Sequence, residues 1–208
     1  MAPSVFLIRH DIKLTENGEK EALLVGNEFV GPEKHINPST IARVFVSPRI
    51  RARETFEFAV KGFPEIREKV IFDERFREWD HGRYEGKTTE EIKELRASEG
   101  LDKSSTWSIW TGGCDGGESV EDMSNRVEEA IAMVQEIQKY YMDNESYGNV
   151  MIVGHGTFLR CFWKIWGGLP ISSAVNIRLD TGTVATLSYE QNDVKKRIIP
   201  VGFKGRSR

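Results

Sequence analysis

Histidine and arginine side chains recur in this sequence directly after short apolar segments. Arg9 and His10 follow the first such segment, Arg51 lies shortly after the second, and His155 follows a later one between two glycines. An arginine guanidinium binds phosphate through paired N–H bonds, and a neutral imidazole can attack phosphorus as a nucleophile. We therefore interpret these residues as candidates for phosphoryl chemistry on an anionic substrate.

The apolar segments predict the strands that must position these side chains. They comprise residues 5–8, 44–46, 70–72 and 150–153. Short continuous apolar runs are typical of buried strands, and helical patterns separate these runs. Strands that alternate with helices predict an α/β fold with a mostly parallel sheet. Since the sequence has no internal repeat and no linker, we expect one domain over residues 1–208.

Helix-start signals mark where the predicted helices begin. An N-cap or a capping box is predicted at Thr15, at Thr88 with Glu91, and at Ser119 with Asp122. A further helix is predicted from residue 157 to 166. Residues 98–118 show no clear period, and a long irregular segment of this kind is often a functional loop. Alternation over residues 177–189 predicts a terminal hairpin.

Parallel strands would bring the candidate residues together. The carboxyl ends of such strands share one edge of the sheet, where ligands of open α/β proteins bind. That edge would hold two histidines, at least two arginines and the N-terminus of the 157–166 helix, all of which favour a phosphate. The sequence has no P-loop motif, and no carboxylate triad or cysteine lies beside these residues. This argues against a P-loop nucleotide site, a protease or a zinc site.

Composition restricts the classes of protein and partner. The 208 residues carry 29 basic and 32 acidic side chains, so the formal net charge of −3 provides no basic field for nucleic acid. The two cysteines form neither a metal-ligand spacing nor a disulfide framework. The apolar start is too short for a signal peptide or a membrane span. We expect a soluble cytoplasmic protein with a small-molecule partner, and the sequence leaves homo-oligomerisation open.

Three motifs in chain order resemble those of the histidine phosphatase superfamily, which includes the cofactor-dependent phosphoglycerate mutases. The motifs are Arg9-His10, Ser47-Pro48-x-x-Arg51-Ala52-x-x-Thr55 and Gly154-His155-Gly156. The resemblance implies a three-layer α/β/α sandwich of the phosphoglycerate mutase type. One departure is that three residues separate His10 from Leu14, where the family has a longer loop that helps close the phosphate pocket.

The resemblance also implies roles for individual residues. His10 would be the nucleophile and Glu78 the proton donor, since a carboxylic acid can protonate a departing sugar alkoxide. The phosphate pocket would be formed by Arg9, Arg51, His155 and the backbone N–H of Gly156. This scheme requires no metal and no other cofactor.

A second set of residues is similar to a fungal branch of the superfamily, the sedoheptulose-1,7-bisphosphatases. The set comprises Arg77 to Gly86 and Glu94 to Lys103, together with Trp107, Trp110 and Cys114. It implies hydrolysis of a phosphorylated sugar, sedoheptulose 1,7-bisphosphate, to sedoheptulose 7-phosphate. A phosphoglycerate mutase and a catalytically weak phosphate-binding member of the family are the alternatives.

Several further basic side chains lie near these motifs. Arg160, on the predicted 157–166 helix, is our candidate for binding a second phosphate of the substrate, and a surface position is nearly as compatible with the sequence. Lys103 is a weaker candidate for the same role. We expect Arg49 and Arg53 to be solvated charges at a helix start and His81 to be a structural loop residue.

Overall fold

The computed structural model describes residues 11–102 and 106–200 of the chain. Its helices are α1 (Glu16–Phe29), α2 (Ile50–Ala59), α3 (Pro64–Arg67), α4 (Thr89–Ser98), α5 (Ile109–Gly112), α6 (Val120–Asp143) and α7 (Gly156–Trp166). Its strands are β1 (Ile41–Val46), β2 (Val70–Phe72), β3 (Asn149–Val153), β4 (Ser188–Tyr189) and β5 (Arg197–Ile198). The predicted strand at 5–8, Arg9, His10 and Lys103 lie outside the described residues.

Strands β1, β2 and β3 form a parallel sheet in the order β2-β1-β3. Val46, the last residue of β1, lies beside Phe72 of β2 and Val153 of β3. The three strands therefore end at one level, and the residues after them emerge at one edge of the sheet. The predicted α/β class with a parallel sheet is confirmed, as are the predicted strands at 44–46, 70–72 and 150–153.

Side chains of β1 point alternately into two hydrophobic clusters. Val44 and Val46 pack with Ala52 and Phe56 of α2 on one face of the sheet. Phe45 packs on the opposite face, in a cluster to which α6 and α7 contribute. Helices on both faces of a parallel sheet form the three-layer α/β/α sandwich that the resemblance implied.

The predicted helix starts are confirmed at all three positions. The Thr15 hydroxyl accepts a hydrogen bond from the Gly18 N–H at the start of α1. Complete capping boxes begin α4 at Thr88 and α6 at Ser119. A cap is a contact between residues three positions apart, so the local sequence suffices to specify it.

The predicted terminal hairpin is wrong in its strands. The turn at Thr181 and Gly182 is present, and Ile177 and Leu179 are more buried than their neighbours, as the alternation required. Within the described residues, however, the antiparallel pair of this region joins β4 to β5. Alternation fixes which side chains face the protein, whereas a strand also needs a neighbouring backbone at the correct register.

Helices α1 and α2 approach closely at Gly26, where a Cβ atom would lie 2.3 Å from the backbone oxygen of Ala59. We predict that Gly26→Ala lowers the free energy of unfolding by about 1–2 kcal/mol, because the cost of overpacking exceeds the gain in helix propensity. Urea denaturation measures this change. Gly62→Ala is the matched control, since a Cβ at Gly62 meets no atom within 4 Å. A Gly26→Ala protein as stable as the control would contradict the prediction.

Candidate active site

The adjacent ends of β1 and β3 bring Ser47 into contact with His155. The Ser47 N–H donates to the Val153 carbonyl at 2.9 Å, which extends the strand pairing one residue beyond β1. The Nε2 atom of His155 lies 2.7 Å from the Ser47 hydroxyl oxygen, and both side chains are buried. This hydrogen bond orients the imidazole at the N-terminus of α7, where His155 is the N-cap residue.

His155 lies in a buried and electropositive environment. Burial lowers the pKa of His155 to about 3, and the positive charges of Arg51 and Arg49 act in the same direction. The imidazole is therefore neutral at pH 7. The positive charge near His155 is carried by the guanidinium groups around it.

Arg51 lies in the first turn of α2, four residues after Ser47. Its Nη1 atom is buried and has no hydrogen-bond acceptor among the described residues. Burial lowers the pKa of Arg51, while the nearby charge of Glu78 opposes this effect. An arginine stays protonated in proteins, so a buried guanidinium N–H without an acceptor fits a site that an anion occupies.

Glu78 caps the N-terminus of α7. Its Oε2 atom accepts from the Thr157 N–H at 3.0 Å, and its Oε1 atom accepts from the Phe158 N–H at 2.8 Å. The predicted proton donor therefore lies at the same helix end as His155. The two N–H groups that Glu78 engages are no longer free for a phosphate. The Gly156 N–H is not among them, and its contact with a phosphate stays a prediction.

Arg126 of α6 holds the backbone of the segment that carries Glu78. Its guanidinium donates to the carbonyl oxygens of Arg75 and Arg77, each at 2.9 Å, and to that of Glu78 at 3.3 Å. Both carboxylate oxygens of Glu118 bind the same guanidinium at 2.7 Å. Arg126 and Glu118 are each 8% exposed, so this ion pair is buried. It holds the loop that carries Glu78 in place. Arg126 could not be identified from the sequence, because about 50 residues separate it from the segment it holds.

A cavity of about 400 Å³ lies beside α7 and is lined in part by Arg160 and Lys164. The Nε atom of Arg160 is buried without an acceptor among the described residues. The Lys164 ammonium donates to the carbonyl oxygens of Ile171 at 2.8 Å and Ser173 at 3.0 Å, which holds the neighbouring wall in place. The Nη2 atom of Arg160 donates to the Leu179 carbonyl oxygen at 3.5 Å. The cavity thus combines a guanidinium whose Nε–H lacks an acceptor with a fixed polar wall.

Three tryptophans pack near this region: Trp79, and Trp107 and Trp110 of the predicted irregular segment. Trp79 is fully buried, and its indole N–H donates to the Glu118 carbonyl at 2.9 Å. The Trp107 indole N–H donates to the Gly113 carbonyl at 2.9 Å. Trp110 contacts Trp79 edge to face and also lines the cavity. Trp79 and Trp107 therefore support the loop, and Trp110 contributes to the cavity wall.

Two basic residues that flank Arg51 have different environments. Arg53 is exposed, with its guanidinium 4.9 Å from the ring centre of Phe72. Arg49 is half-buried, and its Nε atom is buried without an acceptor among the described residues. The expectation of a solvated side chain is therefore wrong for Arg49. A position just before a helix does not determine toward which side the long side chain turns. His81 is buried, as expected for a structural residue.

The structure brings three of the predicted site residues to one edge of the sheet: Arg51, Glu78 and His155. Arg160 lies five residues after His155 on α7 and lines the cavity beside that helix. The positions of Arg9 and His10 stay predictions. Across residues 11–102 and 106–200, no three His, Cys, Asp or Glu side chains are grouped so that they could hold a metal ion. In the same part of the chain, no helix has the length and apolarity to cross a bilayer.

The two buried histidines predict acid sensitivity. Burial lowers the pKa of His155 to about 3 and that of His81 to about 4, from an ordinary value of 6.5. Below pH 6.5 the unfolded chain therefore binds protons that the folded chain does not. We predict that the free energy of unfolding falls as the pH decreases from 7 to 5.5, by up to about 1.4 kcal/mol per pH unit for each histidine.

Urea denaturation at the two pH values measures this dependence. His155→Gln should show a shallower decrease, because one of the titrating groups is removed and a glutamine amide can still bond the Ser47 hydroxyl. Equal stability of the unsubstituted protein at pH 7 and 5.5 would contradict the prediction.

Comparison with known proteins finds phosphatases among the relatives of this chain. A curated relative, the sedoheptulose 1,7-bisphosphatase of Saccharomyces cerevisiae, is 37% identical over 164 residues, which cover 77% of this chain and 60% of that protein. The acid phosphatase of Mycobacterium tuberculosis is 28% identical over 180 residues, 86% of this chain and 76% of that protein. The chain thus spans about 60% of the length of the yeast relative.

Solved structures share the fold over almost the whole chain. The product of an open reading frame of Mycobacterium tuberculosis superposes with a TM-score of 0.68 at 26% identity, covering 96% of this chain and 87% of the other. The α-ribazole phosphatase of Shigella flexneri gives a TM-score of 0.70 at 20% identity, with 96% and 92% coverage. The family model of the histidine phosphatase superfamily, branch 1, matches residues 4–198. The chain therefore belongs to branch 1 of the histidine phosphatase superfamily.

Proposed function

We propose that this protein is a phosphoric monoester hydrolase that removes one phosphate from a sugar bisphosphate through a phosphohistidine intermediate. The observation that supports this proposal most directly is the charge arrangement at the sheet edge. There a buried Arg51 N–H without an acceptor lies near His155, and the Glu78 carboxyl group lies at the adjoining helix end. A phosphate ester would supply the acceptor that Arg51 lacks.

In the first step, a ring nitrogen of His10 attacks phosphorus and the bond from phosphorus to the sugar oxygen breaks. Arg51, with Arg9 and His155, stabilises the negative charge of the phosphoryl group during this transfer. Glu78 gives its proton to the departing sugar oxygen. Oε2 accepts from one backbone N–H of α7, which leaves it a lone pair to carry that proton.

In the second step, water attacks the phosphorus of phosphohistidine and the bond from phosphorus to nitrogen breaks. Glu78, now a carboxylate, takes a proton from the attacking water. Inorganic phosphate leaves, and His10 returns to its neutral form. The capping contacts from Thr157 and Phe158 hold the Glu78 carboxyl group in place between the two steps.

The proposed substrate is sedoheptulose 1,7-bisphosphate. This choice is supported by the 37% identity to the yeast sedoheptulose 1,7-bisphosphatase and by the cavity at Arg160. Arg160 lies four residues after Gly156 on α7, so both residues lie on one face of the helix. A substrate with one phosphate at the sheet edge would extend its other phosphate toward the unpaired Nε atom of Arg160.

The role of Glu78 predicts a dependence on the leaving group. We expect Glu78→Gln to reduce kcat/KM for the sugar bisphosphate by about 100- to 10,000-fold, because an alkoxide requires protonation as it departs. Hydrolysis of p-nitrophenyl phosphate should decrease far less, since a nitrophenolate is a stable leaving group. Measuring phosphate release from both substrates tests this difference.

His10→Ala, which lacks the proposed nucleophile, is the inactive reference for both substrates. Equal slowing of both substrates in Glu78→Gln would show that Glu78 acts on the fold or on binding rather than as an acid. Isomerisation of a phosphorylated substrate without release of phosphate would instead identify a mutase.

The role of Arg160 predicts a dependence on the second phosphate. We expect Arg160→Ala to reduce kcat/KM for the bisphosphate. The reduction should correspond to about 1.5–3 kcal/mol of transition-state binding free energy, the value typical of a lost charged hydrogen bond. Hydrolysis of p-nitrophenyl phosphate, which has no second anionic group, should be unchanged. Steady-state kinetics with both substrates measures the effect. No loss with the bisphosphate would exclude Arg160 from the substrate site.

A further inference from the structure

Unpaired arginine N–H groups are concentrated at the carboxyl edge of the sheet. Among the described residues, Arg49 Nε, Arg51 Nη1 and Arg160 Nε are buried without a hydrogen-bond acceptor. Arg67 Nε, which also lacks a hydrogen bond, lies 2.8 Å from a carboxylate oxygen of Glu57. A buried charged donor without a partner is costly, so its retention at this edge favours a ligand that supplies the acceptor.

Arg49 shares its surroundings with the candidate catalytic residues. Its backbone N–H donates to the Ser47 hydroxyl oxygen at 3.4 Å, and the same hydroxyl bonds His155. The charge of Arg49 contributes to lowering the pKa of both Arg51 and His155. Arg49 therefore lies near Arg51 and His155, and its positive charge acts on both.

A phosphoryl group bound at this site can accept hydrogen bonds from other side chains besides Arg51 and the proposed Arg9. A transferring phosphoryl group spreads negative charge over three oxygens. The Nε2 atom of His155 already bonds Ser47, which leaves its other ring nitrogen for a ligand. The unpaired Nε atom of Arg49 is a further donor that no contact within the described residues uses.

We propose that Arg49 binds the phosphoryl group that is transferred, beside Arg51 and His155. This assignment rests on the proposed function and adds to it a guanidinium that the sequence analysis placed in solvent. It also distinguishes Arg49 from Arg160, which faces the adjoining cavity. Arg49 contributes to the binding of every phosphate ester substrate, whereas Arg160 contributes only to the binding of substrates that carry a second phosphate.

Binding of inorganic phosphate to the 208-residue chain tests the assignment. We expect Arg49→Gln to weaken phosphate binding, measured by titration calorimetry, by about 10- to 100-fold. kcat/KM should decrease by a similar factor for p-nitrophenyl phosphate and for the sugar bisphosphate. Arg49→Lys, which retains the positive charge, should recover part of the affinity. Arg53→Gln is the matched control, because it removes the same charge from an exposed position and should leave both measurements unchanged.

Thermal unfolding separates binding from folding. The Tm of Arg49→Gln in the absence of phosphate should equal or exceed that of the unsubstituted protein, because an unpaired cation near Arg51 is removed. Phosphate affinity equal to that of Arg53→Gln would overturn the proposal, as would a loss confined to the bisphosphate. A loss of affinity that only matches a loss of folded protein would also overturn it.

Failure of the proposed function has a different signature. If the unsubstituted protein binds inorganic phosphate but releases none from any sugar phosphate, the hydrolase proposal fails. The calorimetric comparison of Arg49→Gln with Arg53→Gln then still decides whether Arg49 belongs to the anion site.

Discussion

The carboxylate of Glu78 at the N-terminus of α7 connects two separate parts of the candidate site. The helix presents His155 at its N-cap and Arg160 five residues later, while Glu78 belongs to the loop after β2. Two backbone N–H groups in the first turn of the helix hold that carboxyl group through hydrogen bonds. On the opposite side, Arg126 and Glu118 fix the backbone of the loop. The Glu78 carboxyl group and the His155 imidazole therefore lie at the same helix end, and the loop that carries Glu78 is held from two directions.

Two arginines of the candidate site keep buried N–H groups that no carboxylate of the described residues accepts. Elsewhere in the described chain, Arg75, Arg77 and Arg126 each pair with a carboxylate, whereas Arg49 and Arg51 retain buried N–H groups without an acceptor. Such groups reduce the stability of the folded protein without ligand. The hydrophobic clusters on both faces of the sheet supply the stability that this arrangement requires. Buried polar groups without a hydrogen-bond partner are expected at functional sites.

The residues that could be predicted from sequence are those fixed by short-range patterns. Apolar runs indicated three of the observed strands, and cap residues such as Thr15, Thr88 and Ser119 indicated helix starts. Because parallel strands end at a common edge, the runs also predicted that Arg51 and His155 would converge. The prediction of a terminal hairpin was wrong, because the alternation of apolar and polar residues does not show which backbone segments pair with each other.

The sequence by itself determined the α/β class, the superfamily and the residue types available for phosphoryl chemistry. These follow from local patterns and from motifs, which are independent of distant contacts. The tertiary structure decided which side chains are buried, and therefore which charges lack a partner. It buried the Nε atom of Arg49 and left Arg53 exposed, and it placed the Glu78 carboxyl group on a helix almost 80 residues away. Burial and long-range hydrogen bonds depend on the packing of the whole chain, which no short segment encodes.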